Sequence, residues 1–150
     1  MTIGLACYQP DIAQNLGAMI RVASCFAAQM DVIGPCGFPL SAKGLRPAAM
    51  DYAQDADLRY HVEWSQFLQD AAPHRLILLT TSAEVSIWDH AFVAGDVLLT
   101  GRESAGVPPE VRERCDLHLR IPMPGGGRSL NVAVSAGIAL AEAARQSRAV

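Results

Sequence analysis

Apolar residues recur along this chain in two rhythms that alternate. Short apolar runs at Ile3 to Tyr8, Asp31 to Ile33, Leu76 to Leu79 and Asp96 to Thr100, and the stretch Leu117 to Ile121, read as strands, with Leu76 to Leu79 and Asp96 to Thr100 expected to be buried on both faces. Between them the spacing opens to that of a helix. Leu16, Met19, Ile20, Ala23 and Ala27 share one face of a helix over Asn15 to Ala28, with Asn15 placed as its N-cap. Ser65 to Ala71 predicts a short helix stopped by Pro73, and Pro108-Pro109 open another that reaches Arg114. A long helix of small residues starts near Ser129, and Tyr60 to Val62 reads as a short edge strand. Strands alternating with helices imply an α/β fold, a single domain over 1–150 with a mostly parallel sheet flanked by helices.

The breaks in the pattern hold the polar residues. Gln9-Pro10-Asp11 stops the first strand and Gly34-Pro35 the second. Cys36 to Pro47 is a Gly- and Pro-rich loop with two basic residues, Lys43 and Arg46, which are candidate RNA contacts; a solvated loop would look the same. Thr80 to Ser82, Gly101 to Gly106 and Pro122 to Ser129 follow three of the strands. Ligands of open α/β sheets bind outside the carboxyl ends of the strands, so these three loops are expected to share one site. The last of them holds three successive glycines before a helix, an arrangement that can leave backbone N–H groups exposed to a ligand.

Composition narrows the chemistry. With 150 residues, 51% of them hydrophobic and 18% charged, the chain can bury a real core. A net charge of −3 argues against holding nucleic acid by bulk electrostatics, so any RNA contact must come from a local patch or from a dimer that joins two. Eleven of the twelve basic residues are arginine, which suits bidentate contacts to phosphate. Cys7, Cys25, Cys36 and Cys115 show neither a CxxC pair nor a zinc spacing, and are expected to be buried free thiols; no metal is expected. The start of the chain lacks a signal-peptide pattern, and the apolar run from Val132 to Ala141 is about half the length of a membrane span. A cytoplasmic protein with no membrane contact is expected. Neither a GxxxxGK[ST] phosphate loop nor a GxGxxG fingerprint after the first strand is present, which disfavours an ordinary ATPase or dinucleotide dehydrogenase.

Three segments in this order and spacing resemble the SPOUT superfamily, and within it the SpoU-type RNA ribose 2′-O-methyltransferases. Asn15-Leu16-Gly17-Ala18-Met19-Ile20-Arg21 is similar to the family's NxGxxxR, Gly101 to Pro108 to its GxExxGxP, and Ile121-Pro122-Met123 with Ser129-Leu130-Asn131 to its IPM…SLN. The likeness extends over nearly the whole chain, including Lys43 to Tyr52, and is greatest to small tRNA (cytidine/uridine-2′-O)-methyltransferases of the wobble nucleotide of leucine tRNAs. It implies a C-terminal trefoil knot, S-adenosylmethionine (S-adenosyl-L-methionine) as cofactor, tRNA as substrate, and a homodimer that uses the first and last helices. The small residues Ala133, Ala136, Gly137, Ala139, Ala141 and Ala143 are compatible with such close helix approach, and equally with one helix packed on a sheet.

Carried over residue by residue, the resemblance places Leu79, Gly101, Ile121, Met123, Ser129 and Leu130 around the cofactor. It places Arg21, Glu103, Ser129 and Asn131 on the acceptor side, with Asn15 holding Arg21 and the loops. An arginine in the first turns of a helix is unfavourable to the helix dipole, which favours a ligand role for Arg21 over a helical one. A guanidinium stays protonated, so gripping a phosphate and polarising the 2′-OH suits Arg21 better than acting as a base. Glu103 has two readings, a substrate contact or a carboxylate that caps backbone N–H groups and holds its loop. Asn131 could equally be a helix N-cap. The chain departs from the family pattern at Ala13-Gln14, at Arg102 and at Val132-Ala133-Val134, which leaves open another tRNA or rRNA target, or a non-catalytic knotted RNA-binding module.

Overall fold

A computed structural model describes residues 2–40 and 57–148. Lys43 and Arg46, and the rest of the Lys43 to Tyr52 stretch, lie outside the described residues. The elements are β1 (Gly4–Tyr8), α1 (Ala13–Cys25), β2 (Met30–Ile33), β3 (Leu58–His61), α2 (Trp64–Ala71), β4 (Arg75–Leu79), β5 (Val85–Ser86), a 3-10 turn (Ile87–Asp89), β6 (Asp96–Thr100), α3 (Pro109–Arg114), β7 (Leu117–Arg120) and α4 (Val132–Ser147). The described strands form one sheet in the order β3-β2-β1-β6-β4-β7-β5, and every pairing in it is parallel.

Alternation along the strands divides the core into two layers. Leu5 and Cys7 of β1 face α1 and α4 together with Met30, Val32, Ile77, Leu98 and Leu119. Ala6 and Tyr8 face the other way, toward Phe67 of α2 and Val111 of α3. Leu16 and Ile20 are fully buried. Each such side chain contributes roughly 1.5–3 kcal/mol.

Several boundaries differ from those predicted. Helix α1 begins at Ala13 and is capped by Ile12 without a side-chain hydrogen bond. Asn15 therefore lies inside the first turn, and its amide is released for tertiary contacts. The last helix begins at Val132, and Asn131 is its N-cap. Most of its small residues are spent within the chain: Ala133, Ala136, Ala139 and Ala143 are buried, and a Cβ on Gly137 would sit 3.7 Å from Val22 of α1, whereas Ala141 is exposed. Cys7 and Cys115 are buried as expected, whereas Cys25 is exposed and Cys36 half-buried. β5 has too few residues to carry a pattern of its own.

That short strand matters to the topology. β7 pairs with β4 on one side and with β5 on the other, so a later strand fills the slot between two earlier ones. Helix α4 then returns to the β5 to β6 connection. Phe92 N donates to Gln146 Oε1 at 2.9 Å, and Gln146 Nε2 donates to the His90 carbonyl at 2.8 Å.

Candidate functional site

The loops after β4, β6 and β7 converge with the start of α1 on a cleft of about 620 Å³ at the carboxyl edge of the sheet. Its apolar wall includes Leu79, Leu119, Ile121, Met123 and Leu130, and its polar wall Asn15, Glu103, Ser129 and Asn131. All six residues expected around a cofactor line it. Of the five expected to be catalytic, Asn15, Glu103, Ser129 and Asn131 line it too. Arg21 does not: it stands on α1 at an exposed position, outside the set of residues that line the cleft.

Glycine is demanded in the β6 loop. Arg102 N donates to the Gly106 carbonyl at 3.0 Å and Gly106 N returns a bond to Arg102 O at 2.9 Å, which folds the loop onto itself. A Cβ on Gly101 would lie 2.8 Å from the Gly106 backbone, and Gly106 itself has φ +62°. The glycines after β7 serve differently. Gly126 makes a turn with φ +78°, and no neighbour lies within 4 Å of a Cβ on Gly125, Gly126 or Gly127. They stand outside the cleft wall, so the flanking Ile121, Met123, Ser129 and Leu130 present this loop to a ligand, not the triple glycine.

One chain of side-chain hydrogen bonds ties these pieces together. Asn131 Oδ1 accepts from Ala133 N at 2.9 Å and Val134 N at 3.2 Å, capping α4, while its Nδ2 donates to Asn15 Oδ1 at 3.0 Å. Asn15 Nδ2 donates in turn to Glu103 Oε1 at 3.3 Å, and Asp11 N donates to Glu103 Oε2 at 3.0 Å. Asp11 reciprocates, accepting from Glu103 N at 3.2 Å and from the Ser104 hydroxyl. Glu103 thus holds its loop, as one of its two readings requires, and Asn131 combines the cap with a tertiary bond.

Two carboxyl groups in contact cannot both ionise freely. Hydrogen bonds from Glu103 and Ser104 hold Asp11 down to about 2. Burial first, and then the bond with Asp11, push Glu103 up. The contact therefore drives the two groups in opposite directions, Asp11 down and Glu103 up. Sequence reasoning missed Asp11, although its signal was present: a polar residue just beyond β1, at the same sheet edge as the three loops. It also missed Arg112 of the cleft wall, which donates from Nη1 to Ser82 Oγ at 3.0 Å, whereas Thr80 and Thr81 line the cleft within a loop expected there.

The chain is similar to known proteins over almost its whole length. Residues 2–141 match the SpoU rRNA Methylase family. A protein of Ancylobacter novellus named tRNA (cytidine(34)-2'-O)-methyltransferase is 44% identical over 149 residues, covering 98% of this chain and 94% of the relative. One of the same name from Beijerinckia indica is 45% identical over 144 residues, covering 95% and 90%. A solved structure described as giving structural insights into the 2-OH methylation of C/U34 on tRNA superposes with a TM-score of 0.93 at 40% identity, over 99% of this chain and 98% of that one. An AdoMet-bound rRNA methyltransferase from Sinorhizobium meliloti superposes at 0.83 with 29% identity, over 96% of this chain and 56% of the other.

Proposed function

The chain belongs to the SpoU rRNA Methylase family, and from that premise we propose that it methylates the ribose 2′-OH of a tRNA nucleotide, cytidine or uridine at wobble position 34. The observation that carries this is the convergence of the three family segments on one cleft, in a chain that aligns almost end to end with relatives of that named activity.

The cleft fits S-adenosylmethionine. Its volume falls in the range of cofactor sites, and its apolar wall suits an adenine. When bound, S-adenosylmethionine supplies a methyl group activated by a sulfonium. Leu79, Ile121, Met123 and Leu130 would hold the adenosyl part, with Gly101 and Ser129 beside it. The protein's main task is alignment, since in-line transfer is steeply sensitive to the placement of the nucleophile. Asn15, Glu103 and Asn131 perform that task by locking the β6 loop and the start of α1 to the first turn of α4.

Arg21 grips a backbone phosphate and polarises the 2′-OH from outside the cleft of its own chain. That placement supports a homodimer in which α1 reaches RNA held at the neighbouring subunit. Exposed apolar Ile12 and Phe26 at the two ends of α1, and exposed Val134 on the first turn of α4, supply a face for it. The filling of the β4 to β5 slot by β7, followed by the return of α4 to His90 and Phe92, supports the trefoil knot. Lys43 and Arg46 are RNA contacts in this reading, which places the enzyme in the cytoplasm with tRNA. No helix among the described residues is long and apolar enough to cross a membrane, and no cluster among them could hold a metal ion.

The test uses leucine tRNA transcripts and methyl-labelled S-adenosylmethionine, with nucleoside mass spectrometry as readout. Label is expected in 2′-O-methylcytidine or 2′-O-methyluridine, and none in a transcript with 2′-deoxyribose at nucleotide 34. Undiminished label in the deoxy transcript would move the target elsewhere. An Arg21→Lys variant, which keeps the charge and loses the planar fork, is expected to methylate about tenfold more slowly or to bind RNA correspondingly more weakly.

A further inference from the structure

Arg102 departs from the family pattern, and the structure gives it an unusual setting. Its Nε donates to the Gly106 carbonyl at 3.1 Å, fixing one edge of the guanidinium against its own loop. Its Cζ sits 5.5 Å from the centroid of the Tyr8 ring, and Tyr8 is itself braced edge-on by Trp64 at 5.9 Å. Tyr8 is buried, so the ring is a fixed platform. Among the described residues no carboxylate pairs with Arg102, although it lines the cleft. This contrasts with Arg75, Arg59 and Arg145, each of which pairs with a carboxylate.

The charges of the cleft wall make the setting informative. The charged residues that line it are Arg102, Glu103 and Arg112. Glu103 spends its oxygens on Asp11 N and Asn15 Nδ2, so it does not neutralise its neighbour in sequence. Arg112 is directed by its bond to Ser82. The two terminal nitrogens of Arg102 are thus left as a fork of N–H donors, held in orientation by a ring face and a carbonyl. A held fork loses little side-chain freedom when it binds, and its geometry matches two oxygens of one anion.

We propose that Arg102, seated on Tyr8 and tied to Gly106, is an oxyanion-binding residue of the cleft. The anion presents two oxygens from one centre. A methyl-transfer reaction on RNA supplies two such groups, the α-carboxylate of the methyl donor and a phosphodiester of the RNA. The proposal rests on the function given above and adds to it a binding residue outside the three family segments' shared positions.

The experiment measures three affinities of the full-length protein by calorimetry or fluorescence, for wild type, Arg102→Ala and Arg102→Lys. The probes are S-adenosylhomocysteine, which carries the carboxylate; 5′-methylthioadenosine, which lacks the amino-acid tail; and an anticodon stem-loop RNA. If the anion is the carboxylate, Arg102→Ala weakens S-adenosylhomocysteine about tenfold and leaves 5′-methylthioadenosine unchanged. If it is a phosphate, the RNA weakens about tenfold and the slope of log affinity against log salt falls by about one, with both nucleosides unchanged. Arg102→Lys recovers only part of the loss, and Tyr8→Leu, which removes the platform, weakens the same probe in the same direction.

All three probes within twofold of wild type would overturn the proposal. An equal loss on all three would also overturn it, since that is the signature of a collapsed loop. A wild-type protein that binds the RNA and neither nucleoside would instead overturn the function beneath it.

Discussion

The two ends of β6 carry acidic residues that the protein treats in opposite ways. Asp96, at the start of the strand, is fully buried, and Arg75 clamps it with two bonds of 2.7 Å while Val93 N donates a third at 2.9 Å. Glu103, just beyond the end, faces another carboxylate and two amide donors, and no cation pairs with it among the described residues. Glu142 belongs to the first type. Bonds from Arg145 at 2.8 Å and from Gln146 at 2.9 Å hold it down to about 2, whereas burial and Asp11 push Glu103 up. A carboxylate matched to a cation is held charged, and one buried against a second carboxyl group is pushed the other way. The amino edge of the sheet carries a permanent ion pair, and the carboxyl edge ties its acid to the elements around the cleft.

The largest effect should come from breaking the permanent end. Arg75→Met leaves Asp96 buried without its cation, and is expected to lower unfolding free energy by about 3 kcal/mol in urea titration. Methyl transfer per folded molecule should not change. If activity falls in step while stability holds, the division of labour along β6 is wrong.

Asn15→Ala makes the converse test. It removes the bonds to Glu103 and Asn131 together, and kcat/KM is expected to fall on the order of a hundredfold, equivalent to about 2.7 kcal/mol. Its cost in stability should stay well below that of Arg75→Met. Equal losses in both quantities would erase the distinction.

In Asn131 the two roles meet in one side chain, and Asn131→Ala removes both. Loss of the cap should cost about 1 kcal/mol of stability in denaturant. Rescue by Asp, which can cap but cannot donate to Asn15, should restore stability and leave the rate low.

The smallest effect concerns pH. The Glu142 pKa is depressed in the folded chain from 4.5 to about 2, so its stabilisation is complete above 4.5 and is lost as pH falls toward 2. Glu142→Gln should flatten the acid limb of stability against pH in that window. Glu103 has the opposite sign: its contribution is present at low pH and is lost as pH rises through its raised folded value. An acid limb identical in wild type and Glu142→Gln would remove the cation-matched end from the comparison.

Strand runs and helical spacing were legible in the chain because burial on both sheet faces writes continuous apolar segments, and burial on one helix face writes a period of 3.6. Residues 96–100 form β6 as read, and the helix after Pro108-Pro109 ends at Arg114 as read. Helix ends were less legible. Asn15 has the residue type of an N-cap, yet its amide is used between Glu103 and Asn131, a preference set by partners 88 and 116 positions away. The exposure of Cys25 and the separation of Gly125 to Gly127 from the cleft likewise depend on what packs nearby.

By itself the sequence determined the layered α/β architecture, the three loops that build the cleft and the family likeness, since each is written in local periodicity or in a short motif. Only the tertiary structure decided that Asp11 joins Glu103, that Arg102 rests on Tyr8, and that Arg21 stands outside the cleft of its own chain. Those outcomes arise where residues remote in sequence meet at one edge of a parallel sheet. There a side chain's partners fix its charge and direction, and no local pattern records them.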